Sequence, residues 1–471
     1  MEAPLILEQH YLGCLSQASY LVGDRAAGVL AVVDPRRDVE LYLERARVLG
    51  CTIQHVLLTH FHADFLAGHL ELARATGAKL HLSAAASAEY PFHALTDGAE
   101  LQLGAVTVRA LATPGHTPES MCFLVLDGAR PHAVLTGDTL FNGDVGRPDL
   151  MASVGVTSEE LARALYRSLN EQLMPLPDEV LVYPGHGAGS ACGKNLSSET
   201  WSTMGAQRRT NYALQFADEA AFVAAVTAGQ PPAPAYFARA ATLNKRERPL
   251  LDDALARELV PLSYAELQAE VAQGAAVLDT RDKEAYAAGH LRGALWVGLD
   301  GQFASWAGAV LDLERPVVLV CDPDREREAA LRLGRIGYDG VVGYLADMPG
   351  ALAGAGDALV GAPRSAPRAT AQLLTGAADA PLVLDVRQPG EVAAERVAGS
   401  LAIPLGELRA RLDEVPRGKP VHVHCRSGYR SLIALSLFEA AGRNDAIDIP
   451  GGMLAWTADG CPVVEGARCS G

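Results

Sequence analysis

The sequence predicts an α/β multidomain protein, and three observations carry that reading. Short apolar runs alternate with longer helical patterns along almost the whole chain, as in layers of helix packed on sheet. The 471 residues exceed the roughly 250–300 that one core can serve and suggest about three domains. Two segments also repeat each other. VLDTR (Val277 to Arg281) matches VLDVR (Val383 to Arg387) at an offset of 106 residues, and the same offset pairs Ala287-Ala288 with Ala393-Ala394 and Gly293 with Gly399. VVLVC, ending at Cys321, then matches VHVHC, ending at Cys425, at an offset of 104, a drift that one small loop change explains. The repeat is a duplicated α/β domain of about a hundred residues, large enough to bury its own core.

The boundaries follow from composition. All the clustered histidines lie before about Gly229. The Pro-rich, then mixed-charge stretch GQPPAPAYFARAATLNKRERPLLDD reads as a domain exit, and the Gly-, Ala- and Pro-rich Ala353–Thr370 as a second linker. The predicted domains are therefore 1–245, 255–355 and 364–471.

Charge and composition exclude several classes. A hydrophobic content of 49%, a charged content of 20% and a net charge of −16 describe a globular chain without the clustered cations that nucleic-acid binding needs. No apolar stretch reaches the roughly 20 residues of a membrane span, and MEAPLILEQHYLGCL lacks the basic start of a signal peptide. The eight cysteines, Cys14, Cys51, Cys122, Cys192, Cys321, Cys425, Cys461 and Cys469, are scattered without a CxxC pair. A reducing cytoplasm is therefore expected, rather than a disulfide framework or a zinc ribbon. The chain is expected to assemble as a homo-oligomer.

Histidines and carboxylates gather at strand ends in the first part. TIQHVLLT ends at Thr59, followed by His60-Phe61-His62-Ala63-Asp64; VTVRALAT leads to Pro114-Gly115-His116-Thr117; HAVLTG leads to Asp138; EVLVYPG leads to His186. Ligands converge at strand ends on one sheet edge, and imidazoles with carboxylates from separate loops can enclose one metal ion. HxHxD, PGHT, TGD and PGH in this order resemble the metallo-β-lactamase superfamily over about the first 240 residues, which implies an αββα sandwich. The two-metal hydrolases of that superfamily carry HxHxDH. Here the last position is Phe65, which cannot ligate a metal and whose bulk would occupy a second site, so one metal is expected.

Two histidines and one aspartate with open positions form the triad suited to non-haem Fe(II) and O2. HADF, TPGHTPE, TGDTLF and VGRPDL resemble the persulfide dioxygenases, also called sulfur dioxygenases. That resemblance implies one Fe(II) per chain on His60, His116 and Asp138, with His62 and Asp64 just behind the ligands and His186 as a hydrogen-bonding or pocket residue. It makes Arg147, in VGRPDL, a candidate for the anionic end of a thiol cofactor, a structural loop arginine being the alternative. Tyr183 either hydrogen-bonds near the metal or packs in the core. Cys192 either exchanges sulfur near the pocket or is a buried, inert thiol.

The last domain carries a cysteine between strand and helix. Val421 to His424 reads as a buried strand, Cys425-Arg426-Ser427-Gly428-Tyr429-Arg430 follows, and SLIALSLFEAAG reads as an amphipathic helix. Backbone N–H groups at a helix start, with Arg426 and Arg430, favour a reactive thiolate. The CxxxxR spacing is one shorter than the CxxxxxR of phosphatases. With VLDVRQPGE and IPGGMLAW it resembles the rhodaneses, which carry sulfane sulfur on a cysteine, over roughly Ala366 to Val464. The first copy has DPDRER after Cys321, with no glycine for a tight loop and with Asp322, Asp324 and Glu326 opposing a thiolate. Cys321 is therefore expected to be inert and its domain, a degenerate rhodanese fold, to serve as a docking spacer.

Nearly the whole chain thus resembles the persulfide dioxygenase–rhodanese fusions. The resemblance implies oxidation of R–S–SH by O2 and water to sulfite and RSH, with the rhodanese linking sulfite, persulfide and thiosulfate. The thiol R stays open among glutathione, coenzyme A, bacillithiol-like thiols and hydrogen persulfide. The alternatives are a zinc hydrolase of the thioesterase or glyoxalase II type fused to a rhodanese, which Phe65 opposes, and a non-catalytic sulfur relay or sensor, which the intact CRSGYR and His/Asp set oppose.

Overall fold

Two six-stranded sheets face each other in the N-terminal part of the computed structural model, which describes residues 4–150, 155–194, 196–230, 233–375 and 380–465. Cys469 lies outside the described residues. The chain divides into two compact units, Met1–Ala254 with Gly334–Gly337, and Leu255–Leu333 with Tyr338–Gly471. Among the described residues no helix is long and apolar enough to cross a membrane.

In the first unit β1 (Leu5–Leu12), β2 (Gln17–Asp24) and β3 (Val29–Val33) form an antiparallel meander; β4 (Thr52–Leu57), β5 (Lys79–Ser83) and β6 (His93–Leu95) extend it in parallel. Parallel pairs need crossovers, and α1 (Glu40–Leu49) and α2 (His69–Thr76) provide two of them. The second sheet runs β7 (Glu100–Leu103), β8 (Val106–Ala112), β9 (Met121–Asp127), β10 (Arg130–Gly137), β11 (Leu181–Pro184) and β12 (Ser202–Thr203) in order, with β10 and β11 parallel. Helix α3 (Ser158–Ser168) lies on that crossover, its start fixed by a capping box of Thr157 and Glu160. Tyr20, Val33, Leu57, Val108, Phe123 and Leu135 fill the space between the sheets. Val134, Val182, Leu165 and Phe222 form a separate core beneath α3. This is the expected αββα sandwich.

The second unit contains the duplication. The strands Pro261–Leu262, Val341–Leu345, Val317–Val320, Ala276–Asp279 and Leu295–Trp296 form one parallel sheet in that spatial order. Leu401–Ala402, Leu382–Asp385, Val421–His424 and Ala446–Asp448 form the other, also parallel. The registers repeat: Leu278 pairs with Leu295 as Leu384 pairs with Leu401. Each copy also folds an arginine onto the aspartate two residues before it, Arg281 on Asp279 at 2.6 Å and Arg387 on Asp385 at 2.7 Å.

Two sequence expectations are corrected here. The helix Tyr429–Ala440 is buried continuously from Ser431 to Phe438, where an amphipathic helix was expected. It packs on its own sheet and on the first copy, where Ser436 Oγ accepts from the Trp296 N–H and Glu439 meets both His290 and the Gly293 N–H. The Gly-, Ala- and Pro-rich stretch read as a linker is likewise built in, since Leu359–Val360 pairs with His290–Leu291.

The stretch read as a domain exit holds the anchor of the metal-loop candidate. Asn244 is fully buried; its amide donates to the carbonyls of His62 and Phe65, and its oxygen accepts from the Ala67 N–H. Asn244→Ala strands buried backbone groups and is expected to cost the first unit about 2 kcal/mol, read as a lower urea midpoint for its unfolding. An unchanged midpoint would mean that the loop holds its shape without this anchor.

Candidate functional site

Four strand ends deliver the site of the first unit. His60 follows β4, His116 follows β8, Asp138 directly follows β10, and His186 follows β11, all of them buried. Gly185 makes the approach possible: a Cβ there would lie 2.6 Å from Asp138 Oδ1.

His60, His116 and Asp138 each offer one donor atom, and the three atoms lie within 4.8 Å of one another. Asp138 Oδ2 faces His116 Nε2 at 3.6 Å and His60 Nε2 at 3.9 Å. It is buried and has no hydrogen-bond partner among the described residues, a costly state that a cation would relieve. The opposite ring nitrogens are spoken for. His116 Nδ1 donates to the Arg147 carbonyl at 2.9 Å, and His60 Nδ1 lies 2.9 Å from Thr59 Oγ1, which itself donates to Asp34 Oδ2. Both bonds leave Nε2 as the free lone pair. Burial pushes both imidazoles below their ordinary range, which keeps them neutral, as ligation requires. Burial opposes ionisation of Asp138, but the protonated His186 hydrogen-bonded to it outweighs that and holds the carboxyl well below the usual carboxylate range.

His186 bridges two carboxylates. Its Nδ1 donates to Asp138 Oδ1 at 2.7 Å, and its Nε2 lies 2.8 Å from Asp64 Oδ2, out of line for a hydrogen bond. Burial alone would lower it; Asp138 and Asp64 instead raise it well above the ordinary imidazole range. Asp64, His186 and Cys192 form a second group of three buried donors. Burial, with Asp64 and Asp138, pushes the Cys192 thiol well above its ordinary range. The Phe65 ring, 1% exposed, lies 4.4 Å from the His62 ring and 6.5 Å from that of His186. The His62 ring lies 4.2 Å from that of His60, tilted at 54°, and turns its Nε2 to Asp34 at 3.0 Å.

Arg147 and Tyr183, each read in the sequence with a structural alternative, have partners within the fold. The Arg147 guanidinium, 1% exposed, forks onto Asp149 and donates to the Ala191 carbonyl; through its own carbonyl, Arg147 orients His116. Tyr183 packs its ring on Tyr20 and Trp201 at the edge of the sandwich core.

The second unit presents Cys425 at the end of Val421–His424, 1% exposed. Gly428 takes a φ of +94°, a conformation glycine adopts freely, and its N–H donates to Cys425 Sγ at 3.1 Å. Arg426 is exposed. Arg430 forks onto Glu391 at 2.6 and 2.8 Å, so the charge expected to act on the sulfur is largely answered by a carboxylate. The equivalent fourth position of the first copy is Asp324, with a φ of +65°. The left-handed turn thus survives without glycine, carried by one of the few side chains that tolerate it, but it places an acid there. Burial, with Asp279, Glu326 and Asp322, pushes the Cys321 thiol up to about 12.

Comparison with known proteins identifies the families of these parts. The model of the metallo-β-lactamase superfamily matches residues 12–186, and that of the rhodanese-like domain matches residues 263–347 and 369–459. The chain belongs to the metallo-β-lactamase superfamily and carries two rhodanese-like domains. It is 30% identical to the mitochondrial persulfide dioxygenase ETHE1 of Homo sapiens over 39% of this chain and 69% of that protein. It is 36% identical to the hydroxyacylglutathione hydrolase of a Polaromonas strain over 39% of this chain and 66% of that one. A crystal structure of a metallo-β-lactamase from Staphylococcus aureus, 32% identical, covers 73% of this chain and 99% of its own, with a TM-score of 0.65.

Sequence reasoning missed Asp34, Thr59, Asn244 and Glu391. Asp34 closes the strand run VVDP with a φ of +50°, and a strand-end aspartate is a signal that can be searched for; Thr59, next to a ligand candidate, is another. Asn244 and Glu391 act from afar and carry no local pattern. His60→Ala or Asp138→Ala, purified anaerobically, is expected to lose the bound metal, and Cys192→Ala to retain it. Equal loss in Cys192→Ala would place the ion in the Asp64, His186 and Cys192 group instead.

Proposed function

We propose that the chain is a non-haem iron persulfide dioxygenase coupled to a rhodanese-type sulfurtransferase, oxidising R–S–SH with O2 and water to sulfite and RSH. One observation carries this reading: Asp138 spends Oδ1 on His186 and leaves Oδ2 bare between His60 and His116. A carboxylate so engaged offers one oxygen, so the donor set is two neutral nitrogens and one anionic oxygen around a single cation. Phe65 supports it, because an apolar ring stands where a further imidazole would be needed. The persulfide dioxygenase relative supports it as well.

Ferrous iron, when bound, supplies the capacity to bring O2 and a sulfur ligand together. The chain's own residues do the rest. Thr59 and the Arg147 carbonyl keep His60 and His116 in the ligating tautomer. His186 holds a proton between Asp138 and Asp64 and offsets their charge. Phe65 and Phe141, each within 6.5 Å of the His186 ring, keep water from this wall. In the second unit the Gly428 N–H holds the sulfur of Cys425 as it takes up a sulfane sulfur and passes it between persulfide, sulfite and thiosulfate. One tether raises the effective concentration of each site for the other's product.

A second reading, a zinc hydrolase of small thioesters, is favoured by the donor group of Asp64, His186 and Cys192 and by the hydroxyacylglutathione hydrolase relative. Anaerobic purification separates the two: about one iron per chain is expected for the triad, and two tightly bound zinc ions would favour the hydrolase. Asp138→Ala is expected to abolish persulfide-dependent O2 uptake and keep thiosulfate:cyanide sulfur transfer. Cys425→Ser should do the reverse, since a hydroxyl stays protonated and holds no sulfane sulfur. Loss of both activities in either folded variant would contradict the assignment.

A further inference from the structure

Behind Cys425 stands a buried polar chain that the sulfur chemistry described above does not use. Ser431, in the first turn of the helix that follows the loop, and Asp448, which ends the strand Ala446–Asp448, are both fully buried. Ser431 Oγ donates to Asp448 Oδ1 at 2.7 Å, and Cys425 Sγ lies 3.8 Å from Ser431 Oγ, where its S–H donates. Asp448 Oδ2 is buried without a hydrogen-bond partner among the described residues.

The charged surroundings are few. Arg364 Nε lies 3.5 Å from Asp448 Oδ2 and is itself tied to Glu284, with Lys283 beside it on the first copy. On the sulfur side stand Arg430, paired with Glu391, and His424, which faces Asp385 at 3.6 Å. Ionising Cys425 beside an ionised Asp448 would put two anions into one dry wall, which like charges resist. Moving a proton along the chain adds no anion: the charge leaves the carboxylate and arrives at sulfur, where the Gly428 N–H meets it.

We propose that Ser431 and Asp448 act as a proton relay for Cys425, so that the thiol and the carboxyl share one proton. The Cys425 S–H bond breaks as an O–H bond forms on Ser431, and the original Ser431 O–H bond breaks as one forms on Asp448. The return of the thiol after sulfur transfer reverses both. Asp448 is then a positioning residue that acts through Ser431, and the inference rests on the reading of Cys425 as the sulfur carrier. The carboxyl suits the role, because burial, opposed by the Ser431 bond and Arg364, pushes it up to about 6.

The test is the rate of Cys425 alkylation by iodoacetamide in the full-length protein, followed by mass spectrometry of its peptide from about pH 5 to about pH 9. Groups that share a proton titrate in two steps. The wild type should therefore show two rises separated by a plateau, and Asp448→Asn a single rise. Ser431→Ala, which cuts the path but keeps the charge, should slow thiosulfate:cyanide transfer about tenfold with little change in KM. A single rise in the wild type, or two in Asp448→Asn, overturns the relay, and the wild-type curve decides even if the variant does not fold. The curve needs no sulfur donor, so a wild type that shows both rises but transfers no sulfur would overturn the carrier reading and leave the shared proton standing.

Discussion

A carboxylate shut away from water must have both oxygens answered, and among the described residues only one oxygen of Asp138 has a hydrogen-bond partner. His186 meets Oδ1, and among the described residues no hydrogen bond reaches Oδ2, which faces His116 and His60 at 3.6 and 3.9 Å. Everything around it serves that asymmetry. Gly185 clears the space, Thr59 and the Arg147 carbonyl turn two imidazoles toward the bare oxygen, and Asn244 ties down the loop that carries His60. A cation is the natural completion, and the donor set suits one ion with open positions. The same bond to His186 ties the site to Asp64 and, beyond it, to Cys192.

Much of this was legible in the sequence, because strand ends on one sheet edge must converge. HFHAD, PGHT, TGD and PGH each close an apolar strand, and the sandwich brings them together as that order predicts. What was not legible depends on distance through space. Asn244 falls in a stretch whose prolines and charges read as an exit, yet it bonds residues almost two hundred positions earlier. The side chain of Arg147 has the chemistry of an anion site, but Asp149 two residues on claims it. The helix Tyr429–Ala440 carries no clean apolar stripe, because a second domain covers the face that solvent would otherwise wet.

The two rhodanese-like copies show how little a scaffold decides about chemistry. Both keep the same strand registers, the same arginine folded on its strand-end aspartate, and a left-handed fourth residue in the loop. In one copy that residue is Gly428, whose N–H reaches the sulfur; in the other it is Asp324, in a loop whose acids push the Cys321 thiol further up. The first copy also serves packing, since Glu439 and Ser436 of the helix that follows Cys425 bond to it.

The claim that a single redox-active metal works at the Asp138 triad is tested most directly by loading the same metal-free protein with either ferrous iron or zinc and following O2 with an electrode while sulfite is quantified. The iron-loaded protein is predicted to consume O2 and release sulfite in equal amounts when given a small-thiol persulfide, and the zinc-loaded protein to consume none. Zinc-loaded protein that cleaves a thioester, alongside iron-loaded protein that takes up no O2, would contradict the account.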